Sequence, residues 1–263
     1  MDKEGAKRLA GALFGRQQAP GSVGMPDGDD GKTGNILPIR TMMESLIKLD
    51  EEAFGFYAWS REPLERKFTI QQKRDYIRRA SDCGREEALR ITQGTDISAP
   101  GGLRAAVTAL GLKVSTPDTP NGGGHVIFAQ YTEPDEVTIF MDSVRKAEEL
   151  MESCDMWELF PDLSSIEDLL LAHEIFHAVE YRNRDRIFTQ TEKIELWKKP
   201  FSNRSQIIAL SEMAGMAFAR ELLGISVSPY LFDVLLMYGY NQEAATALYE
   251  EIMGFAGEPA GEE

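Results

Sequence analysis

Two histidines flank a glutamate in the segment His173-Glu174-Ile175-Phe176-His177. The 263-residue chain contains only three histidines, and two of them lie four residues apart in this segment. Residues i and i+4 share one face of a helix, so both imidazoles can reach the same metal ion. This spacing is the H-E-x-x-H pattern of zinc hydrolases, and it predicts a metal site with Zn²⁺ as the expected ion.

Glu174 has the position of a general base in this pattern. It points about 100° round the helix from His173, so its carboxylate is expected beside the metal and not bound to it. From there Glu174 can take a proton from a metal-bound water and pass it to the leaving amine of a peptide. The expected reaction is peptide hydrolysis without a covalent nucleophile.

A catalytic zinc usually has three protein ligands, and the third must come from outside this segment. The metzincin pattern is excluded, because Glu180 and Asn183 stand where that pattern requires a glycine and a histidine. The remaining histidine, His125, lies on a predicted strand and is one candidate ligand. Tyr181 and His125 are also candidates for a hydrogen-bond donor to the transition state, although both residue types are common at the edge of a core.

Glu212 is the better candidate for the third ligand. It lies in a largely apolar helical segment, where a carboxylate requires a partner. Gly215 and Ala219 follow on the same helical face, and small residues there would let this helix approach the histidine helix closely. Partial exposure or a buried salt bridge is the alternative explanation of Glu212.

Both helices that must carry the site have recognisable sequence signals. The run Ser164-Ser165-Ile166-Glu167 has capping-box spacing and predicts a helix over residues 164–181. A second helix is predicted over residues 205–223 and ends at Gly224. Residues 182–200 between the two helices are rich in charge and predict an irregular connection.

The rest of the chain predicts an α+β fold that is predominantly helical. Alternation of apolar and polar residues predicts strands at 112–115, 125–131 and 136–141. The last two strands are joined by turn-forming residues at 132–135, which indicates a small antiparallel sheet of about three strands. Helical periodicity or helix-start signals appear at residues 37–54, from 69, at 86–92, 102–110 and 144–151, from 229 and at 243–255.

The composition argues against several classes of function. A formal net charge of −15 disfavours direct nucleic-acid binding, which depends on Lys and Arg contacts to phosphate. The most apolar late segment is too short to span a bilayer, so no membrane association is expected. Cys83 and Cys154 have no C-x-x-C spacing and indicate reduced thiols in a cytoplasmic protein. The oligomeric state is left open.

The two motifs taken together resemble the ImmA/IrrE metallopeptidases. In that family H-E-L-G-H is followed by E-x-x-A-x-x-F-A-x-x-L-L. Here the histidine segment is followed by Glu212-x-x-Gly215-x-x-Phe218-Ala219-x-x-Leu222-Leu223. The resemblance spans about residues 86–223. This chain differs from the family pattern at Phe176, where the family has glycine, and at Gly215, where it has alanine.

The resemblance implies a zincin-like α+β domain, with His173, His177 and Glu212 as metal ligands and Glu174 as the general base. Members of the family typically cleave intracellular regulatory proteins. On this basis the chain divides into a flexible N-terminal segment (1–35), a helical N-terminal extension (36–83), a zincin-like metallopeptidase domain (84–257) and a disordered acidic tail (258–263).

Two functions from different classes are compatible with these residues. The first is a zinc-dependent endopeptidase that acts on a protein or peptide in the cytoplasm. The second is a metal-bearing regulatory or binding module that has lost hydrolysis, with the aromatic residues Phe56, Tyr57 and Trp59 as a docking surface. Glu174 favours the first function, because a site that only binds metal does not need a base beside it. A fortuitous motif in a helical interaction protein is the weaker third possibility.

Overall fold

The structure of the chain is a computed structural model that describes residues 36–93, 97, 99, 101–118, 127–197 and 203–257. The predicted N-terminal segment 1–35, the acidic tail 258–263 and His125 lie outside these residues. The helices in the described part are α1 (Ile39–Leu46), α2 (Glu51–Trp59), α3 (Ile70–Thr92), α4 (Gly102–Ala109), α5 (Met141–Ser153), α6 (Ile166–Arg182), α7 (Phe188–Thr191), α8 (Ile208–Leu223), α9 (Leu231–Tyr238) and α10 (Gln242–Met253). The strands are β1 (Lys113–Ser115), β2 (Ala129–Thr132), β3 (Glu136–Ile139), β4 (Lys193–Trp197) and β5 (Asn203–Gln206).

These elements form a mixed α+β fold that is mostly helical, as predicted. The first sheet has the strand order β1-β3-β2. β2 and β3 form the predicted antiparallel hairpin, but β1 pairs parallel with β3, so the prediction of a purely antiparallel sheet is wrong. Residue alternation identifies a strand without fixing its direction. β3 lies between β1 and β2, so it pairs in parallel with one neighbour and antiparallel with the other.

Helix α6 carries the H-E-x-x-H segment. It begins at Ile166, and the side chain of Ser165 caps it by accepting the backbone N–H of Asp168, so the predicted start at Ser164 is one to two residues early. Acidic residues in the first turn are favourable next to the positive end of the helix dipole. Most of the helix from Ile166 to Glu180 is buried, and the side chains of His173, Glu174 and Glu180 therefore lie inside the protein.

Helix α8 packs against both α3 and α6. Its contact with α3 is close because Gly84 has no side chain, and a Cβ atom there would clash with the carbonyl oxygen of Ala214. α3 begins with the predicted capping box at Thr69 and continues without a break to Thr92, so the separate helix predicted at 86–92 is wrong. The predicted boundary between residues 83 and 84 lies within α3, and the division into regions stays a prediction.

Residues 182–200 contain more regular structure than predicted. They include the short helix α7 and strand β4, which pairs antiparallel with β5. The sequence Lys193-Ile194-Glu195-Leu196-Trp197 alternates polar and apolar residues, which is the signal of a strand. Because residues 203–206 belong to β5, the helix predicted from residue 205 begins instead at Ile208.

The aromatic residues of the predicted N-terminal extension are part of the core. Phe56, Tyr57 and Trp59 are buried, and Trp59 packs against Phe68 and Tyr76. They therefore do not form an exposed docking surface. None of the helices in the described ranges is long and apolar enough to cross a membrane.

Most of the basic residues between positions 61 and 79 pair with acids along the surface of α3 and its neighbours. Lys73 binds Glu65, and Arg79 reaches both Asp75 and Glu192. This alternation of paired charges is typical of a solvated helix face.

The close contact of α3 with α8 yields a test of the packing. We expect Gly84→Ala to lower the free energy of unfolding by about 3 kcal/mol, because backbone of α8 must move to accommodate the added methyl group. Leu89→Ala is the control on the same helix, since Leu89 is 51% exposed and its truncation should change stability by less than about 0.5 kcal/mol. Urea denaturation of both variants measures the difference, and equal stabilities would contradict the close packing.

Candidate metal centre

His173 and His177 lie one turn apart on α6, and their rings converge. Their Nε2 atoms are 3.1 Å apart, and the ring planes meet at 81°. His173 is almost completely buried, whereas 13% of the His177 side chain is exposed. The helix therefore directs two ring nitrogens to one point near the protein surface.

Glu212 reaches the same point from α8. Its Oε2 lies 3.6 Å from Nε2 of His173, and its Oε1 lies 3.9 Å from Nε2 of His177. One ligand atom from each of the three side chains can be chosen so that all lie within 4.8 Å of one another. Within the described residues the ion-pair partners of Glu212 are these two histidines, so the alternative of a salt bridge to Lys or Arg finds no support. The Glu212 side chain is 23% exposed, which agrees with the alternative of partial exposure.

The three side chains fit a divalent metal ion. Two imidazole nitrogens and one carboxylate oxygen form a ligand set found in catalytic zinc sites. Ligands bound tetrahedrally at about 2.0–2.2 Å from zinc are about 3.4 Å from one another. The 3.1 Å between the two Nε2 atoms and the 3.6 Å from Nε2 of His173 to Oε2 of Glu212 are close to that value. The 3.9 Å to Nε2 of His177 is made by the other oxygen, Oε1, so the Glu212 carboxylate would need to adjust its position to bind one ion.

Gly215 explains why α8 can approach so closely. A Cβ atom at this position would lie 2.9 Å from Cε1 and 3.1 Å from Nδ1 of His173, and 3.3 Å from the ring of Phe176. The ring of His173 therefore occupies the space that a side chain at 215 would need. The absence of that side chain lets Glu212, one turn earlier on α8, reach the histidines.

Glu174 is buried beside the three candidate ligands, with 2% of its surface exposed. Burial raises the pKa of its carboxyl group above the ordinary value. The nearby imidazoles and the backbone of Tyr131 in β2 favour the ionised form, and the charge of Glu212 opposes it. A carboxyl group whose pKa is shifted towards neutrality can both accept and return a proton.

Tyr181 lies one turn beyond His177. Its ring packs 6.4 Å from the ring of Tyr131 and under the guanidinium group of Arg184. Tyr181 therefore packs against β2 from the last turn of α6. Its suggested role as a hydrogen-bond donor to the transition state stays a prediction. His125, the other candidate donor and alternative ligand, lies outside the described residues.

A buried hydrogen-bond network lies behind His177, and sequence reasoning missed it. Glu180 is 2% exposed, and its Oε1 accepts a hydrogen bond of 2.6 Å from Thr189 Oγ1. Its Oε2 accepts one of 2.9 Å from Ser211 Oγ, which is also 3.4 Å from Nδ1 of His177. The available signal was the position of Glu180 three residues after His177, where a helix brings the two side chains together.

The pKa values of His177 and Glu180 reflect this network. Burial lowers the pKa of His177, but Glu180 and the charges of Glu212 and Glu174 outweigh burial and raise that pKa to about 9. Burial raises the pKa of Glu180, but His177 outweighs burial and brings that pKa to about 2. Both pKa shifts arise from the same interaction between His177 and Glu180, so their contributions to stability are not to be added.

The raised pKa of His177 favours its protonated form in the metal-free protein. Nε2 of His177 lies 3.1 Å from Nε2 of His173, so a proton on either atom can form a hydrogen bond to the other. Metal binding must displace that proton, because both nitrogens need a free lone pair.

Comparisons with protein-family models, with curated proteins and with solved structures find no match for this chain. The motif residues and the geometry of their side chains therefore carry the functional proposal.

The His177–Glu180 pair predicts how the stability of the metal-free protein depends on pH. Because the folded pKa of His177 is raised from 6.5 to about 9, the contribution of His177 is complete below pH 6.5 and is lost as the pH rises through 9. Because the folded pKa of Glu180 is lowered from 4.5 to about 2, the contribution of Glu180 is present above pH 4.5 and is lost as the pH falls towards 2.

Denaturant unfolding of wild type and His177→Gln in the presence of a chelator measures the histidine part of this prediction. We expect the stability advantage of the wild type to be larger at pH 6 than at pH 9.5, because more of the ring is imidazolium at the lower pH. An advantage that does not change between the two pH values would contradict the interaction.

Proposed function

We propose that this protein is a zinc-dependent metallo-endopeptidase with a zincin-like active site. The observation that carries the proposal is the convergence of His173, His177 and Glu212, whose ligand atoms lie within 4.8 Å of one another. The buried carboxyl group of Glu174 adjoins them, in the position that a general base of metal-assisted hydrolysis requires.

His173, His177 and Glu212 would hold the ion. Bound zinc supplies Lewis acidity, which lowers the pKa of a coordinated water towards neutrality and polarises a peptide carbonyl. Glu174 accepts a proton from the attacking water as the C–O bond forms. It then delivers that proton to the amide nitrogen as the C–N bond breaks, so the leaving group departs as a neutral amine.

The buried position of Glu174 suits both halves of this proton transfer. A fully solvated carboxylate would hold the proton weakly, whereas burial raises the pKa of Glu174 and lets it retain the proton between the two steps. The neighbouring imidazoles limit that rise, so the carboxyl group can still ionise to act as a base.

The proposed substrate is a protein or peptide in the cytoplasm. The resemblance of the two motifs to the ImmA/IrrE metallopeptidases supports a regulatory protein as the target. Both cysteines are free thiols, which is consistent with a reducing compartment. The acidic net charge of −15 supports recognition of a polypeptide and not of nucleic acid.

The test of this function is Glu174→Gln. We expect the variant to bind zinc as the wild type does and to lose peptide cleavage by about 10²–10⁴-fold, because only the proton acceptor is removed. Digestion of a diverse peptide mixture, read by mass spectrometry, detects cleavage without knowledge of the substrate. A chelator should abolish wild-type cleavage, and added Zn²⁺ should restore it.

Glu167→Gln is the matched control, because Glu167 lies on the same helix and pairs with Arg104 near the surface. It should retain both zinc and cleavage. Equal cleavage by wild type and Glu174→Gln would remove Glu174 from the mechanism. A wild-type protein that binds zinc but cleaves no peptide would favour the second hypothesis, a metal-bearing module without hydrolysis.

A further inference from the structure

The hydroxyl group of Ser211 lies between His177 and Glu180. Its oxygen is 3.4 Å from Nδ1 of His177 and 2.9 Å from Oε2 of Glu180. The direct separation of Nδ1 from Oε2 is 3.7 Å, which is longer than a hydrogen bond, so the hydroxyl is the closer link. Ser211 and Glu180 are both buried, and their hydrogen bonds are therefore shielded from water.

The direction of each hydrogen bond in this network follows from which atoms can donate. An ionised carboxylate can only accept, and Glu180 already accepts from Thr189 on its other oxygen. The single proton of the Ser211 hydroxyl is therefore directed to Glu180. The Ser211 oxygen is left as an acceptor towards His177, so the hydrogen between these two residues belongs to Nδ1 of His177.

We propose that Glu180 and Ser211 are positioning residues that hold His177 in the tautomer protonated at Nδ1. A neutral imidazole has one protonated nitrogen, so this tautomer leaves the lone pair of Nε2 directed at His173 and Glu212. The functional meaning of this network rests on the proposed metal site. The tautomer itself is a property of the protein with or without a metal.

The network also fixes the helix that supplies the third ligand. Ser211 immediately precedes Glu212 on α8, and Thr189 belongs to α7, so Glu180 joins three helices through its two oxygens. One buried carboxylate thus orients His177 and restrains the first turn of α8 beside Glu212. Groups that orient metal ligands in this way commonly change metal affinity when they are removed.

The tautomer is measured directly by long-range ¹H–¹⁵N correlation on protein with ¹⁵N-labelled histidine. The His177 signals are assigned by their loss in His177→Gln. In the wild type we expect Nδ1 to be protonated, both in the zinc-loaded protein and in the metal-free protein at a pH where the ring is neutral. Protonation of Nε2 in the neutral metal-free ring would overturn the proposal, and this measurement requires no variant at Glu180.

Glu180→Gln tests the dependence of metal binding on the network. A glutamine amide can donate to the Ser211 oxygen and turn the hydroxyl towards Nδ1, which favours the opposite tautomer. We expect Zn²⁺ affinity, measured by competition with a chromophoric chelator, to fall about 10–100-fold. The visible spectrum of the Co²⁺-substituted protein should also change, because the orientation of one ligand changes.

Glu167→Gln is again the control variant. Glu167 lies on the same helix but outside the network, where it pairs with Arg104, so the tautomer and the Co²⁺ spectrum should match the wild type. If Glu180→Gln folds with an unchanged tautomer and unchanged Zn²⁺ affinity, the network is only structural and the proposal is wrong. If the wild type binds no zinc, the proposed function fails. The tautomer of His177 in the metal-free protein then tests by itself whether Glu180 and Ser211 orient the ring.

Discussion

The structure depends on the close approach of α8 to α6 at Gly215. The ring of His173 fills the space beside this glycine, and an added Cβ atom would lie only 2.9 Å from that ring. Glu212 lies one turn before Gly215 on α8. The close contact of the two helices at Gly215 therefore brings the Glu212 carboxylate to both imidazoles. Gly84 of α3 similarly lets that helix pack closely against the α8 backbone near Ala214. α8 is thus held between two helices at positions without side chains, and a shift of either contact would separate the ligands.

The electrostatics of this region favour a cation. The carboxyl groups of Glu174, Glu180 and Glu212 surround two imidazoles, and two of these three glutamates are almost fully buried. Buried acids without compensation are costly, and the raised pKa of His177 means that a proton on its ring would offset part of that cost in the metal-free protein. A divalent ion would supply the positive charge instead and release the proton. Proton and metal therefore compete for the same nitrogens, which makes metal affinity dependent on pH.

The sequence was informative where local rules determine structure. The i, i+4 spacing of the histidines, the cap at the start of α6 and the small residues after Glu212 were sufficient to predict that these three side chains meet. Glu180 could not be assigned in this way, because its partners Ser211 and Thr189 are distant in sequence and become neighbours only through packing. The direction of β1 was mispredicted for the same reason, since alternation does not encode which neighbour a strand finds. The strand β4 was overlooked because its charged residues obscured an alternating pattern.

The most direct test of the account is the coordination shell of zinc in the purified protein. X-ray absorption spectroscopy of the zinc-loaded wild type should show one zinc per chain, with imidazole nitrogen and oxygen ligands at about 2.0–2.2 Å. The same measurement on Glu212→Ala should show a changed shell or no retained zinc, because one of the three protein ligands is missing. Absence of bound zinc in the wild type, sulfur ligands, or an identical spectrum for the wild type and Glu212→Ala would contradict the assignment of His173, His177 and Glu212 as the metal site.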